Sequence, residues 1–178
     1  MPSDHPYPTS SSLAVVALGA NLGKAVDTLQ RAAGLLRQQS AGGFRLSSFY
    51  ASAPVDCPPG SPPFVNAAAV FQPRAGETPE SLLACLQLIE KRFGRRPKQI
   101  PNEPRPLDLD LIAFGREVRS AAELVLPHPR AHQRRFVLAP LAEIVPDFIL
   151  PGQQLPVAAL LQRLPPGGLV ERLKVELK

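Results

Sequence analysis

Asp108 and Asp110 stand two positions apart in "RPLDLDL" (residues 105–111), interleaved with leucines. The alternation predicts a strand with Leu107, Leu109 and Leu111 on a core face and both carboxylates on the other. Residues i and i+2 of a strand lie roughly 6.5–7 Å apart, and carboxylates that close repel unless cations separate them. Magnesium binds carboxylate oxygens together with phosphate oxygens, and two-metal sites hold their ions about 3.5–4 Å apart. The spacing therefore suits a pair of Mg²⁺ ions gripping a triphosphate. Taken without its neighbours, it more readily describes a solvent-facing strand with an acidic side.

The neighbours favour the first description. Glu90, Arg92, Arg95, Arg96, Lys98 and Arg105 lie just upstream, and a basic loop feeding a diacid strand offers cations for phosphates beside carboxylates for metals. Downstream, "PHPRAHQRRFVL" (127–138) carries His128, Arg130, His132, Arg134 and Arg135. The two histidines have the i, i+4 spacing of zinc ligands, but no Glu or Cys completes a set, so contacts to phosphate are the better reading. Phe64, Asn66 and Phe136 supply aromatic faces and an amide, equipment for a flat heterocycle as well as for ordinary core. The glycines of "ALGANLG" (17–23) do not have dinucleotide-binding spacing and read as a tight strand-to-helix turn.

These residues need elements to hold them. Strands are predicted at 13–18, 44–52, 64–72 and 107–114, with a short fifth at 122–126. On the second, Phe44, Leu46 and Ser48 share a face. A helix over 24–39 has Val26, Leu29, Ala33 and Leu36 on its apolar side, with "GG" at 42–43 as its stop. A helix over 78–94 starts with Thr78, Pro79 and Glu80 and ends at Gly94. Further helices are expected at 131–144, interrupted by Pro140, and at 157–164, while 169–178 reads as helix or strand. The order β-α-β-β-α-β predicts an α+β, ferredoxin-like sandwich: a mostly antiparallel sheet with helices packed on one face, plus a C-terminal extension.

Composition bounds the function. With 178 residues and 44% hydrophobic content, the chain suits one domain over 13–178, preceded by a polar, frayed leader over 1–12 that lacks signal-peptide character. The longest apolar run is too short to span a membrane. Cys57 and Cys85 do not make a disulfide framework, as expected of a cytoplasmic protein. The 22 prolines cluster at 54–63 and 97–106, marking two long irregular loops of the kind that carry function. A net charge of +5 fits nucleic acid or a phosphorylated small molecule. An RNA-binding sheet would need stacking platforms, and Tyr7, Tyr50 and an absence of Trp provide few.

Six segments also share an order. "ALGANLG", "SSFYASAPV", "FVNAAAVF", "LLACLQLIEKRFGRR", "PRPLDLDLIAFG" and "LPHPRAHQRRFVLAPLAEIVP" resemble, in sequence, the motifs of the 6-hydroxymethyl-7,8-dihydropterin pyrophosphokinases over roughly residues 14–150. The resemblance implies transfer of diphosphate from ATP to the pterin's hydroxymethyl group, releasing AMP, by a monomer with no nucleic-acid or membrane partner. It implies that Asp108 and Asp110 hold two Mg²⁺ ions and that Arg95 and Arg105 act in catalysis. Gln87, Glu90, Arg95, Arg105, His128 and Arg134 would meet the nucleotide; Ser52, Val55, Phe64, Asn66 and Phe136 would meet the pterin. The chain departs from the pattern at Asn102-Glu103, where many members have Trp-Gly, and at Pro97 and Pro101, where some have arginines. Arg96 and Lys98 lie beside those positions. These departures leave room for a divergent relative with another acceptor or weak activity.

Overall fold

The computed structural model describes residues 13–97 and 100–175. The leader expected over 1–12, Lys98 and the last three residues lie outside the described residues. Eight strands and four α-helices are described: β1 (Ala14–Ala20), α1 (Ala25–Arg37), β2 (Ser40–Leu46), β3 (Tyr50–Ser52), β4 (Phe64–Pro73), α2 (Pro79–Arg92), β5 (Asp108–Phe114), β6 (Arg119–Ser120), β7 (Val125–Leu126), α3 (Arg135–Ile144), α4 (Val157–Arg163) and β8 (Val170–Arg172). The main sheet runs β5-β1-β4-β3-β8, with β2 also pairing β4, and every pairing is antiparallel.

The run "LAVVAL" is continuously apolar because β1 is covered on both sides. Ala14, Val16, Leu18 and Ala20 enter a core with Leu29, Ala32, Ala33 and Leu36 of α1 and Leu82, Leu86 and Ile89 of α2. Leu13 and Val15 face the opposite way, into a second core with Val137, Leu138 and Leu141 of α3 and Val157 of α4. Helices therefore lie on both faces of the sheet, correcting the single covered face expected from sequence. The split β-α-β units place α1 and α2 on one face; the helical remainder covers the other.

Two local expectations also change. The glycines at 42–43 do not end α1, which stops at Arg37. They lie inside β2, where the register against β4 shifts and Gly43 takes φ 62, the conformation glycine adopts without steric cost. The strand expected over 44–52 divides at Ser47–Phe49. The Ser47 hydroxyl accepts from the Ala68 amide at 2.9 Å, replacing a ladder bond. Phe44 and Leu46 stay on the α1/α2 core, whereas Ser48 turns to bond Glu143 of α3.

Helix α2 matches its sequence signals. Thr78 Oγ1 accepts from the Ser81 amide at 3.1 Å and Ser81 Oγ accepts from the Thr78 amide at 2.9 Å, a reciprocal cap. Gly94, at φ 85, lies just past its end. The 131–144 helix is a 3-10 turn (Ala131–Gln133) followed by α3, which contains Pro140. The expected fifth strand shrinks to β7, paired with β6. The ambiguous tail supplies β8, which lies against β3.

Candidate active site

Strand register builds the site. Asp108 of β5 lies opposite Gly19 of β1, Gly19 opposite Asn66 of β4, and Asn66 opposite Tyr50 of β3. Leu107, Leu109 and Leu111 are buried in the α1/α2 core, so Asp108 and Asp110 face the side that carries α3 and α4. Those helices cover Val15, Val70 and Ile112 and leave the end of the sheet around Gly19 uncovered. A cavity of about 740 Å³, open mouth included, fills that end. A methyl at Gly19 would sit 3.7 Å from Asn66 Oδ1 and 3.8 Å from the Phe64 ring, so glycine here keeps the floor low.

The acidic end is tightly wired. Arg95 forms ion pairs with both Glu90 and Asp108, and Arg105 Nη1 lies 3.5 Å from Asp108. Glu90 is only 8% exposed, and its Oε1 accepts from the Leu109 amide at 2.7 Å. Burial raises its carboxyl above the usual range despite that bond and Arg95. Asp110 is pushed up to about 6, first by burial and then by the charge of Asp108. Among the described residues no group donates a hydrogen bond to Asp110. Arg105 Nε is likewise buried without a partner, and its guanidinium lies 5.9 Å from the Phe64 ring centre.

The opposite wall comes from the turn leading into α3. Arg130, Arg134 and Phe136 line the cavity, and Arg134 stacks 5.5 Å from the Phe136 ring centre. His128 is lowered to about 4 by burial and by the charges of Arg134 and Arg130; its imidazole is neutral at pH 7. Its Nδ1 accepts from the Arg130 amide at 3.2 Å. At the apolar end, Asn66 Nδ2 donates to Ser52 Oγ at 2.8 Å and to the Tyr50 carbonyl. That leaves Asn66 Oδ1 as an acceptor and the Ser52 hydroxyl as a donor, facing Phe64, Phe136 and Val55.

The structure thus gathers Ser52, Val55, Phe64, Asn66, Arg105, Asp108, Asp110, Arg134 and Phe136 around one space. Arg95 sits behind Asp108 and lines an adjoining groove with Arg96, Pro97 and Arg105. Glu90 is engaged with β5 and Arg95 rather than open to a ligand. Gln87 is exposed one turn earlier on α2, and neither it nor His128 lines the cavity. His132 lies in the 3-10 turn and bonds Gln133. Arg135 turns away to the carbonyls of Leu164, Pro165 and Gly167. Asp56 and Cys57 line the cavity without having been expected there, and so do Arg130, read from sequence only as one cation of the 127–138 segment, and Asn102, noted only as a departure from the family pattern. Asp56 and Asn102 have φ 52 and 54, a conformation to which Asp and Asn are suited, so Asx residues within the proline-rich loops were the available signal. The cysteines are free, and no described helix is long and apolar enough to cross a membrane.

The residues present fit a hard cation: two same-facing carboxylates, one raised and lacking donors, beside guanidiniums suited to phosphate. No group of three or more metal-ligating side chains is found among the described residues. An antiparallel sheet presenting such a pair next to an amide- and aromatic-lined pocket suits the transfer of a phosphate group to a small planar acceptor. Comparison with known proteins gives the family. Residues 15–146 match the model of 7,8-dihydro-6-hydroxymethylpterin-pyrophosphokinase (HPPK). The chain is 37% identical over 159 residues to the 2-amino-4-hydroxy-6-hydroxymethyldihydropteridine pyrophosphokinase of Synechocystis sp., covering 89% of this chain and 79% of that one. It is 38% identical over 160 residues to the enzyme of the same name from Pseudomonas aeruginosa, covering 89% and 94%. The solved wild-type HPPK-DHPS of Plasmodium falciparum with pteroate superposes with a TM-score of 0.65 at 14% identity, over 85% of this chain and 42% of that longer one. The chain belongs to the HPPK family, ATP-dependent diphosphotransferases of folate biosynthesis.

Proposed function

We propose that this chain transfers diphosphate from ATP to the hydroxymethyl group of 6-hydroxymethyl-7,8-dihydropterin, with its chemistry at the Asp108–Asp110 face. The observation that carries the reading is the joining, in one cavity, of the Asp110 carboxylate, to which no described residue donates, and the Asn66–Ser52 pair beside Phe64 and Phe136. Asp108 and Asp110 would hold Mg²⁺, two ions by their spacing, which supplies charge neutralisation along the triphosphate. Arg105, Arg134 and Arg95 take the remaining phosphate charge; Gln87, Glu90 and His128 complete the nucleotide side, Glu90 by holding Arg95 and β5. Asn66 and Ser52 present an acceptor and a donor to the pterin edge, with Phe64, Phe136 and Val55 against its faces.

The acceptor hydroxyl then attacks the β-phosphorus while the bond to the α–β bridging oxygen breaks and AMP leaves. Little covalent work falls to the protein, so positioning and charge supply the acceleration. The strand order β5-β1-β4-β2 supports a ferredoxin-like reading of the sheet, and we assign the chain a single ferredoxin-like domain over 13–178 with the α3/α4 layer added. It acts as a cytoplasmic monomer on small molecules, without a nucleic-acid or membrane partner. The test is AMP formation from ATP and Mg²⁺, with and without the hydroxymethyl pterin. Pterin-dependent AMP is expected; AMP at the same rate without the pterin would refute the acceptor.

A further inference from the structure

Asn21 follows the last residue of β1 and is 5% exposed. Its side chain has no partner on its own element. Oδ1 accepts from the Arg105 amide at 2.8 Å and Nδ2 donates to the Pro62 carbonyl at 3.3 Å. Its backbone amide donates to the Arg105 carbonyl at 3.2 Å. An amide N–H can only meet Oδ1 and a carbonyl can only meet Nδ2, so the partners themselves fix the orientation of the group. Arg105 is thus held through both its peptide N–H and its carbonyl by one residue 84 positions earlier.

The two segments that Asn21 joins are the proline-rich loops on either side of the cavity. One contributes Val55, Asp56 and Cys57 to its lining; the other contributes Asn102 and Arg105. Apart from Asn21, they meet where Asn102 Nδ2 donates to the Asp56 carbonyl at 2.8 Å. Prolines deprive both loops of ladder donors, so a buried side chain supplies the registration that a sheet would otherwise give. Arg105 also carries a buried Nε that no group among the described residues satisfies. Its guanidinium has the Asp108 contact and the Phe64 face but not a full set of bonds, so the anchoring of its backbone also sets where it points.

We infer that Asn21 is a positioning residue for the reaction, aiming Arg105 at the transferring phosphates through one face of its amide and holding the acceptor loop at Pro62 through the other. This rests on the diphosphotransfer reading above. The two faces predict separable effects. Loss of the Oδ1 contact releases Arg105 and lowers kcat; loss of the Nδ2 contact loosens the 53–63 loop and raises KM for the pterin.

The test is a double-mutant cycle on kcat with Arg105→Ala, with parallel calorimetric titration of the pterin. Asn21→Ala is expected to lower kcat by about tenfold or more in the wild-type background, yet by less than about twofold when Arg105 is already alanine. Pterin binding is expected to weaken in both backgrounds. Asn21→Asp keeps an acceptor for the Arg105 amide and loses the donor to Pro62. It should hold kcat within about threefold of wild type while the pterin KM rises; it carries the test alone if the alanine variant does not fold. Multiplying kcat losses in the cycle, or an Asn21→Asp enzyme that loses kcat with its pterin KM unchanged, would overturn the inference. Wild-type turnover in the same assay checks the reaction separately: its absence refutes the reading of function, whereas an active wild type with multiplying losses refutes only the role of Asn21.

Discussion

Glu143 and Asp110 are both partly covered carboxylates on the α3/α4 side of the sheet, and the fold treats them in opposite ways. Glu143 accepts from the Ser48 amide at 3.0 Å, the Ser48 hydroxyl at 2.8 Å and the Tyr50 hydroxyl at 2.9 Å, with Arg172 at 3.4 Å. Burial works against its charge, but the bonds from Ser48 and Tyr50 outweigh it and hold the carboxyl below its usual range. Tyr50 is pushed up to about 12 by burial and by that same bond. Asp110 has burial without the donors, and Asp108 beside it, so it rises to about 6. A carboxylate that the protein saturates is part of the framework. One left covered and without a donor among the described residues is set up for a ligand's charge.

The largest expected difference between the two is in turnover. Asp108→Ala or Asp110→Ala should lower kcat by about a thousandfold or more, measured as pterin-dependent AMP release, since each removes charge compensation from the transferring group. Glu143→Gln should leave kcat within a few-fold. Equal losses at the two places would remove the contrast.

Stability should reverse the ranking. Glu143→Ala removes the acceptor for the Ser48 amide and two hydroxyls, which water can partly replace at this exposed site, and should cost about 1–2 kcal/mol in urea unfolding, whereas Asp110→Asn should be neutral or stabilising without metal. Acid titration sharpens this. The raised Asp110 carboxyl favours the folded state below 3.8, an advantage lost as pH rises through about 6. The lowered His128 does the opposite: its contribution is present above 6.5 and lost as pH falls through about 4. In the metal-free protein these two contributions therefore oppose each other across that window. Asp110→Asn should lose stability on acidification, His128→Gln should gain it, and each slope should amount to something on the order of 2 kcal/mol. Slopes of the same sign in both variants would contradict the assignment. The smallest effect belongs to Tyr50→Phe, which removes one of the donors to Glu143 and should cost about 0.5–1.5 kcal/mol by urea unfolding with kcat unchanged.

Local pattern carried much of the fold. Thr78, Pro79 and Gly94 marked α2 because caps are properties of adjacent residues, and Leu107, Leu109 and Leu111 marked β5 because a strand repeats every second residue. The break at Ser47 and the bulge at Gly42–Gly43 were not legible, since each depends on how β4 is met across the sheet. Coverage of the second face was equally hidden: an unbroken apolar strand does not say where its covering helices come from. In the site, Asp108, Asp110, Asn66 and Phe136 could be found from motifs and order. Asn21 and the Asn102–Asp56 contact could not, because their partners lie 84 and 46 residues away. Arg130 was one cation among several until its place in the cavity wall distinguished it.

The most direct test of the central contrast is thermal stabilisation by Mg²⁺ with an ATP analogue bearing a methylene between its α and β phosphorus atoms. Ligand binding to the folded state raises the melting temperature by mass action. A rise of several degrees is expected for wild type and for Glu143→Gln, with little or none for Asp110→Asn. A full shift in Asp110→Asn would mean that the donor-free carboxylate is not where the metal and triphosphate are held.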